Sequence, residues 1–536
     1  MTTINYPTSH SRSIRCRALD AEEYYALSCN SRKSVRNLVN YQQIESTTAF
    51  YESDIQDLVN HPMIRDSYWL DMPYTSTDPL SGELDVDVVV IGGGVTGVTG
   101  ALFLAEGGVR VAVLERREVA SGATGRNGGF MLAGTHEYYV EAVEELTDLY
   151  GADGRRMAGE AWRIALENHD LMAGLMEKYE IQCDYYRHGS YVVAMKRPDR
   201  GSHADPLERI VRSYNLLQED GFDVAYLDEG RLYDLKRSPL LAGALWNKFD
   251  GELHPVKYVR GLASAAKQLG VLFFENTPVA SIERRGAGGI GRGDAGGRGV
   301  STVSKAGSGV SSPGGLVVHT PGGRIRTQHV LLGMNAYTPQ LDARYERRII
   351  PQRGQVFTTE PVEERLFNGV FYANDGWEFW RQLHDGPGEG GRLLFGGGRN
   401  HHIRAERGFH FLRRRGRQIG TYRGYKERPT RAVQRSNDRA FNSTFPYLAA
   451  LGRSHRWGGV MGFSYDSSPF VGETETPGVY IVAGFTGRGN AYATVAARMV
   501  SDRLLGRPSA VEDQFETVKK VFDPLRGGVE TENRRR

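Results

Sequence analysis

Cysteine is scarce in this chain: Cys16, Cys29 and Cys183 are the three present, and no two stand in C-x-x-C spacing. So sparse and odd a set argues against a disulfide framework and a structural zinc site, and it fits a reducing, cytoplasmic compartment. Charge of one sign is lacking too. A formal net charge of +3 over 536 residues is too balanced for nucleic acid to be the main partner. Long apolar runs are missing: Val86 to Ala105 is largely apolar but is broken by Gly92, Gly93, Gly94 and Gly97, so no membrane span is expected. No secretory apolar core precedes residue 65; that polar stretch is expected to be a disordered extension, with an organelle-targeting peptide as the alternative. Neither a G-x-x-x-x-G-K-[ST] phosphate loop nor a G-x-S-x-G nucleophile elbow occurs.

What the chain does have is glycine, 66 residues of it, and its placement carries chemistry. Asp87 to Glu115 reads as strand, glycine turn, helix and second strand ending on an acid. Val88 to Ile91 is a short continuous apolar run, as a strand buried on both faces requires. Gly92, Gly94 and Gly97 then stand in G-x-G-x-x-G spacing. The first allows a tight turn, the second lets backbone approach a pyrophosphate, and the third lets the helix pack against the strand. Val98, Ala101, Leu102 and Ala105 mark one apolar helix face, and Thr96 lies in the first turn, whose free N–H groups favour phosphate. Glu115 closes the unit where a carboxylate accepts ribose hydroxyls. The unit is a dinucleotide grip.

The following residues, Arg116 to Phe130, suit a flavin dinucleotide better than a nicotinamide one. Arg116, Ser121, Thr124, Arg126, Asn127, Gly128 and Gly129 build a polar, glycine-rich loop able to make a second contact with pyrophosphate and flavin. A second strand–turn–helix unit lies near the C-terminus. Val479 to Ala483 reads as a buried strand, Gly487, Arg488 and Gly489 as the turn, and a helix starts near Asn490.

The fingerprint, the GATGRNGG loop and the stretch WGGVMGFSYDSSPFVG…GVYIVAGFTGRGNAYA resemble the D-amino-acid-oxidase-type flavoproteins, and within them the gamma-glutamylputrescine oxidoreductase-like branch. SYWLDMPY (67–74), IQCDYYRHGSYVVA (181–194), HPVKYVRGLASAA (254–266), MNAYTPQL (334–341), IIPQRGQVFTTEP (349–361) and RLLFGGGR (392–399) belong to the same pattern. The resemblance covers roughly residues 65 to 506. It implies an α/β fold: a Rossmann-like FAD-binding domain interleaved with a smaller α+β substrate domain built on a mixed antiparallel sheet. It also implies oxidation of a CH–N bond in a small-molecule amine or amino acid, with hydride passing to FAD, hydrolysis of the imine, and electrons going to oxygen or another acceptor. In the family the C-terminal turn sits beneath the flavin's pyrimidine end. Arg488 stands where relatives commonly carry His, as a cation for the reduced flavin or a substrate carboxylate, or merely as the partner of a surface acid. Relatives with covalent flavin attach it to a C-terminal Cys, absent here, or to a His whose place Arg126 takes, so non-covalent FAD is expected.

The expected FAD domain takes residues 85–134, 254–341 and 457–506, with Val279 at the cofactor. The substrate domain takes 135–253 and 342–456, and 507–536 forms a polar tail. Two insertions interrupt the pattern. Residues 286–315 hold twelve glycines and are expected to form a flexible loop between two strands of one hairpin. Residues 400–436 are basic and are expected to be a solvated excursion, with an acidic or nucleic-acid partner as the alternative. Substrate contacts are sought in Tyr372, Trp380 and Arg381, with Arg381 as a carboxylate clamp and the aromatics as pocket walls or core. His254 is either close to the flavin or a helix-start residue. His384, His401, His402 and His410 lack organising spacing or a carboxylate partner, so no metal site is expected. Two rival functions stay open: an NAD(P)-linked dehydrogenase using the same grip, and a non-catalytic flavin-binding or assembly protein.

Overall fold

The structure is a computed structural model that describes residues 67–196, 205–236, 238–284, 315–386, 389–407, 413–414, 417–418 and 427–526. The extension 1–65, the glycine-rich insertion up to residue 314, most of the basic insertion between 408 and 426, and the tail beyond 526 lie outside the described residues.

Two large sheets organise the chain. The first has six strands in the order Phe470–Glu473, Val479–Ala483, His329–Leu332, Val88–Ile91, Val111–Leu114, Leu272–Phe274. All neighbours pair in parallel except Phe470–Glu473, which is antiparallel at one edge. The strands Val88–Ile91, Val111–Leu114 and Val479–Ala483 are buried throughout, because helices cover this sheet as parallel connections demand. The helix Val95–Glu106 is buried on more than the single face its periodicity marks. Gly100 explains part of this, since a Cβ there would sit 2.8 Å from Leu331 and 3.9 Å from Ala497 of the helix Gly489–Leu504. The two glycine-started helices therefore pack against each other over the same sheet.

The second sheet has eight strands: Arg453–Ser464, Ile349–Thr359, Leu393–Gly397, Glu378–Gln382, Val370–Ala373, Ser190–Met195, Leu241–Asn247, Val224–Asp228. Only Val370–Ala373 and Ser190–Met195 pair in parallel, so it is a mixed, mainly antiparallel sheet. Its strand Arg453–Ser464 pairs along its whole length with Ile349–Thr359. A domain boundary at 457 would cut this strand, and the change of sheet falls after Ser464 instead. Ser281–Arg284 and Leu316–His319 pair antiparallel, joining a small four-stranded sheet with Gly82–Asp85 and Gly323–Thr327.

The polar tail expected from 507 onward is corrected up to residue 526. Short helices Ala510–Gln514 and Glu516–Val521 dock there, burying Phe515, Val518, Val521 and Phe522 in the main core. Thr517 N and Oγ1 both donate to the Glu160 carboxylate, at 2.8 and 2.6 Å. Among the described residues no helix is long and apolar enough to cross a membrane.

Candidate active site

One cleft runs between the first glycine turn and the C-terminal one. Gly92, Gly94, Thr96 and Glu115 line one stretch of it, and Gly487, Gly489 and Asn490 line another. Arg116, Thr124, Asn127, Val279 and Tyr337 line it as well, as do Met461 and Phe485. Gly92 turns the chain at φ 109°, with the Gly333 carbonyl 2.8 Å from where its Cβ would be. Gly97 is outside the cleft, and its place is dictated by packing: a Cβ would lie 1.9 Å from the Gly92 carbonyl oxygen. The Glu115 carboxylate accepts from Gly93 N at 2.7 Å and Arg117 N at 2.9 Å. Burial pushes its pKa up, against the pull of those two N–H groups.

The loop after Glu115 is shaped by its own side chains. Asn127 Nδ2 donates to the carbonyls of Ala123 and Thr124 at 3.3 and 3.0 Å, while its Oδ1 accepts from Gly129 N at 2.7 Å. Thr124 Oγ1 accepts from Val95 N at 3.0 Å, capping the first-turn helix. Trp69 Nε1, from the segment preceding the fingerprint, donates to the Asn127 carbonyl at 2.7 Å. Ser121, Arg126, Gly128 and Gly129, sought at the cofactor, do not line the cleft. Arg126 Nε instead donates to the Ser121 carbonyl at 3.1 Å and lies 3.4 Å from Glu427. Arg117 Nη1 donates to the same carboxylate at 2.5 Å, and the Tyr337 hydroxyl donates to it at 3.0 Å. Glu427 belongs to the stretch expected to be a solvated excursion. Its carboxylate is only 13% exposed, because it fastens that stretch onto the loop.

The substrate candidates divide by strand geometry. Tyr372 pairs with Phe379 and Phe371 with Trp380, so alternate residues of this hairpin face opposite sides of the sheet. Tyr372 joins the main core; burial pushes its hydroxyl pKa up. Trp380 goes the other way, into a separate core where its ring stacks 5.5 Å from Phe371 and 6.2 Å from Phe395. Trp380 is therefore core rather than a pocket wall. Arg381 faces the loop but is already engaged. Its Nη1 donates to the carbonyls of Gly129 and Leu253, both at 3.0 Å, and its Nε pairs with Glu252 at 2.9 Å. With its side chain only 2% exposed, Arg381 is a structural tie, not a carboxylate clamp.

His254 caps the helix Pro255–Gln268, its Nδ1 accepting from Lys257 N at 3.2 Å. Burial pushes its pKa down to about 4, so it is neutral near pH 7. Of the two roles open for His254, helix start is the one seen. Arg488 is buried behind the C-terminal turn rather than in the cleft lining. Its Nη1 donates to the Ala133 carbonyl at 3.1 Å, and Nη2 lies 3.4 Å from Glu137.

Two groups escaped the sequence. Asp250 is fully buried, accepting from Ser190 Oγ at 2.6 Å and Ala133 N at 2.9 Å, and burial pushes its pKa up to about 7. Only its place before Gly251 marked it, as one Asp-Gly turn among others. The second is a carboxylate beside His384, contrary to expectation: Glu252 Oε1 lies 3.4 Å from His384 Nε2 and 3.2 Å from His188 Nδ1. Burial alone would raise the Glu252 pKa, but the Arg381 cation and both imidazole contacts hold it well below the usual carboxylate range. Arg365 Nη2 lies 2.9 Å from His384 Nδ1 and can only donate, so that nitrogen accepts and the proton sits on Nε2 facing Glu252. A metal ion beside Glu252 would need a lone pair on that protonated Nε2 and would meet two guanidinium groups, so the cluster is poorly suited to one.

An elongated cleft floored by glycine backbone, with a carboxylate along it and a helix start at a second turn, fits a dinucleotide. Comparison with known proteins agrees. The family model described as FAD dependent oxidoreductase, DAO, matches residues 87–503. The probable oxidoreductase OrdL of Haemophilus influenzae is 27% identical over 444 residues, covering 80% of this chain and 85% of its own length. The gamma-glutamylputrescine oxidoreductase of Escherichia coli is 27% identical over 441 residues, covering 81% and 87%. Glycine oxidase from Geobacillus kaustophilus superposes with a TM-score of 0.61 at 20% identity, over 83% of this chain and 100% of the other.

Proposed function

The chain belongs to the DAO family of FAD-dependent oxidoreductases, and on that premise we propose that it oxidises the CH–N bond of a small amine or amino acid. The names of relatives support this substrate class: one acts on gamma-glutamylputrescine and another on glycine. FAD, when bound, supplies the two-electron acceptor for a hydride leaving the carbon next to nitrogen. The imine left behind is hydrolysed by water.

The observation that carries the proposal is that both glycine turns, Gly92–Gly97 and Gly487–Gly489, contribute to one cleft. In this reading Glu115 accepts from the ribose hydroxyls, and the N-terminus of the helix Val95–Glu106 faces the pyrophosphate. The helix Gly489–Leu504 begins at the second turn, where its positive end favours negative charge on a bound ring. Its contacts with Glu137 and Ala133 keep the Arg488 cation fixed behind that turn.

We read the cofactor as non-covalent. No Cys or His lines the cleft among the described residues, and the Cys183 thiol is buried elsewhere with its pKa pushed up to about 12. Acid precipitation should leave all the flavin in the supernatant; a yellow pellet would contradict this. A free buried thiol also fits the cytoplasm. The test of function is anaerobic bleaching of the flavin absorbance by N-methyl glycines, D-amino acids, glutamylated polyamines and opines. Loss of colour with at least one is expected. A flavoprotein that no amine bleaches would contradict amine oxidation, and peroxide on admitting air would name oxygen as the acceptor.

A further inference from the structure

The second glycine turn is held from behind, and we propose that Asp250 is its positioning residue: through Ala133 it fixes Arg488, and its charge sets how strongly the turn favours a negative flavin ring. This rests on the reading that the ring lies at that turn.

Local pairing brings the three residues together. The strand Gly251–Glu252, directly after Asp250, pairs antiparallel with Phe130–Met131, which places Asp250 and Ala133 within reach of each other at one end of a two-stranded ladder. The Ala133 N–H donates to Asp250 Oδ1 at 2.9 Å, and the Ala133 carbonyl accepts from Arg488 Nη1 at 3.1 Å. A single backbone residue thus connects a buried acid to a buried cation. Ser190 Oγ donates to Asp250 Oδ2 at 2.6 Å and accepts from Asn247 Nδ2 at 3.2 Å, so the carboxyl group is held at both oxygens.

Arg488 stands at the N-cap position of the helix Gly489–Leu504, and Gly487, Gly489 and Asn490 around it line the cleft. Asn490 Nδ2 donates to the Phe130 carbonyl at 3.0 Å, a second tie from this helix start to the same ladder. The turn takes its place from these two side chains, and the tie at Arg488 continues to an ionisable acid.

Burial pushes the Asp250 pKa up to about 7, against the pull of Ser190, the Ala133 N–H and the cations Arg488 and Arg187. Around Arg488 stand Glu137, Tyr372 and Tyr492, and burial keeps both phenols neutral by pushing their pKa up. The Glu137 side chain is 36% exposed and is screened by water, whereas Asp250 is 0% exposed. A change of charge on Asp250 is therefore felt strongly at Arg488. A proton taken up there leaves the cation less compensated, and the turn then favours negative charge on the ring more.

The test uses the FAD-loaded chain and no amine. The flavin midpoint potential is measured by dye equilibration from pH 5 to 9, and the dissociation constant of FAD is measured on the apoprotein. Asp250→Asn keeps an acceptor for the Ala133 N–H and removes the charge. Its potential should match the wild type near pH 5 and lie above it near pH 9, by about a tenfold shift in the reduction equilibrium, or about 30 mV for two electrons. In an Arg488→Gln background that shift should vanish. Asp250→Ala also removes the acceptor, so FAD should bind about tenfold more weakly, whereas Asp250→Asn should keep the wild-type affinity. A potential in Asp250→Asn equal to wild type at every pH, or a shift that persists unchanged in Arg488→Gln, would overturn the proposal, and these two variants decide it even where Asp250→Ala fails to fold. Amine bleaching together with an unshifted Asp250→Asn potential would sink this inference alone. The expected potentials in a protein that no amine bleaches would sink amine oxidation alone.

Discussion

Arg381 and Arg399 leave neighbouring strands of the eight-stranded sheet, yet they hold opposite electrostatic positions. Arg381 is paired, carbonyl-bound and 1% exposed. The Arg399 guanidinium carbon lies 4.9 Å from the Trp377 ring centroid and 5.4 Å from that of Phe463, with no acid partner among the described residues. A buried cation with its acid in place is architecture, because removing either partner strands a charge. A shielded cation without one is available to a ligand. The same division separates the two glycine turns: Gly97 is a packing requirement, whereas Gly487 lines the cleft and a Cβ there would meet only the Met461 sulfur, at 3.8 Å.

Variants can break or sharpen this contrast. The largest effect is expected for Gly97→Val, whose side chain must displace the Gly92 carbonyl. A loss above about 3 kcal/mol is expected, read as insoluble or flavin-free protein; a yellow, normally melting variant would show that the turn relaxes. Arg381→Leu comes next. Leaving Glu252 unpaired should cost about 3–5 kcal/mol in chemical denaturation, and Glu252→Gln in the same background should recover part of it. If Arg381→Leu instead keeps its stability and loses only affinity for acids, Arg381 is a ligand contact rather than a structural tie.

Asp250 offers a pH test. Its pKa near 7 in the fold lies above the unfolded value of about 3.9, so the native state binds the extra proton between those limits. Its contribution to stability is full below about pH 4 and is lost as pH rises to about 7. Asp250→Asn should flatten that part of the stability profile, and an identical slope in the variant would mean another group titrates. The smallest effect is expected for Trp380→Phe: about 1 kcal/mol of stability with substrate affinity unchanged, because the ring faces the separate core. A changed substrate affinity would return Trp380 to the pocket.

These outcomes track how much the sequence makes legible. The βαβ unit is readable because each of Gly92, Gly94 and Gly97 answers a different steric demand, and Glu115 falls in register behind them. The hairpin Val370–Gln382 was less so. Composition leaves Trp380 open as pocket wall or core, whereas strand alternation already sets it on the opposite face from Arg381. The docked C-terminal helices carried a faint signal too, in the apolar spacing of Phe515, Val518, Val521 and Phe522. Glu252, Glu427 and Asp250 had none, since their partners lie far along the chain: 129 residues separate Glu252 from Arg381, and Glu427 meets Arg117 across 310. Long-range ion pairs leave no local spacing to read.

The central claim is that the two glycine turns share one flavin dinucleotide, and that it receives hydride from an amine. Anaerobic visible spectroscopy of the purified chain tests it most directly. The account predicts a yellow protein with one acid-extractable FAD per chain, bleached by at least one amine or amino acid. A protein that folds colourless and takes up no FAD, or one whose colour survives every amine, would contradict it.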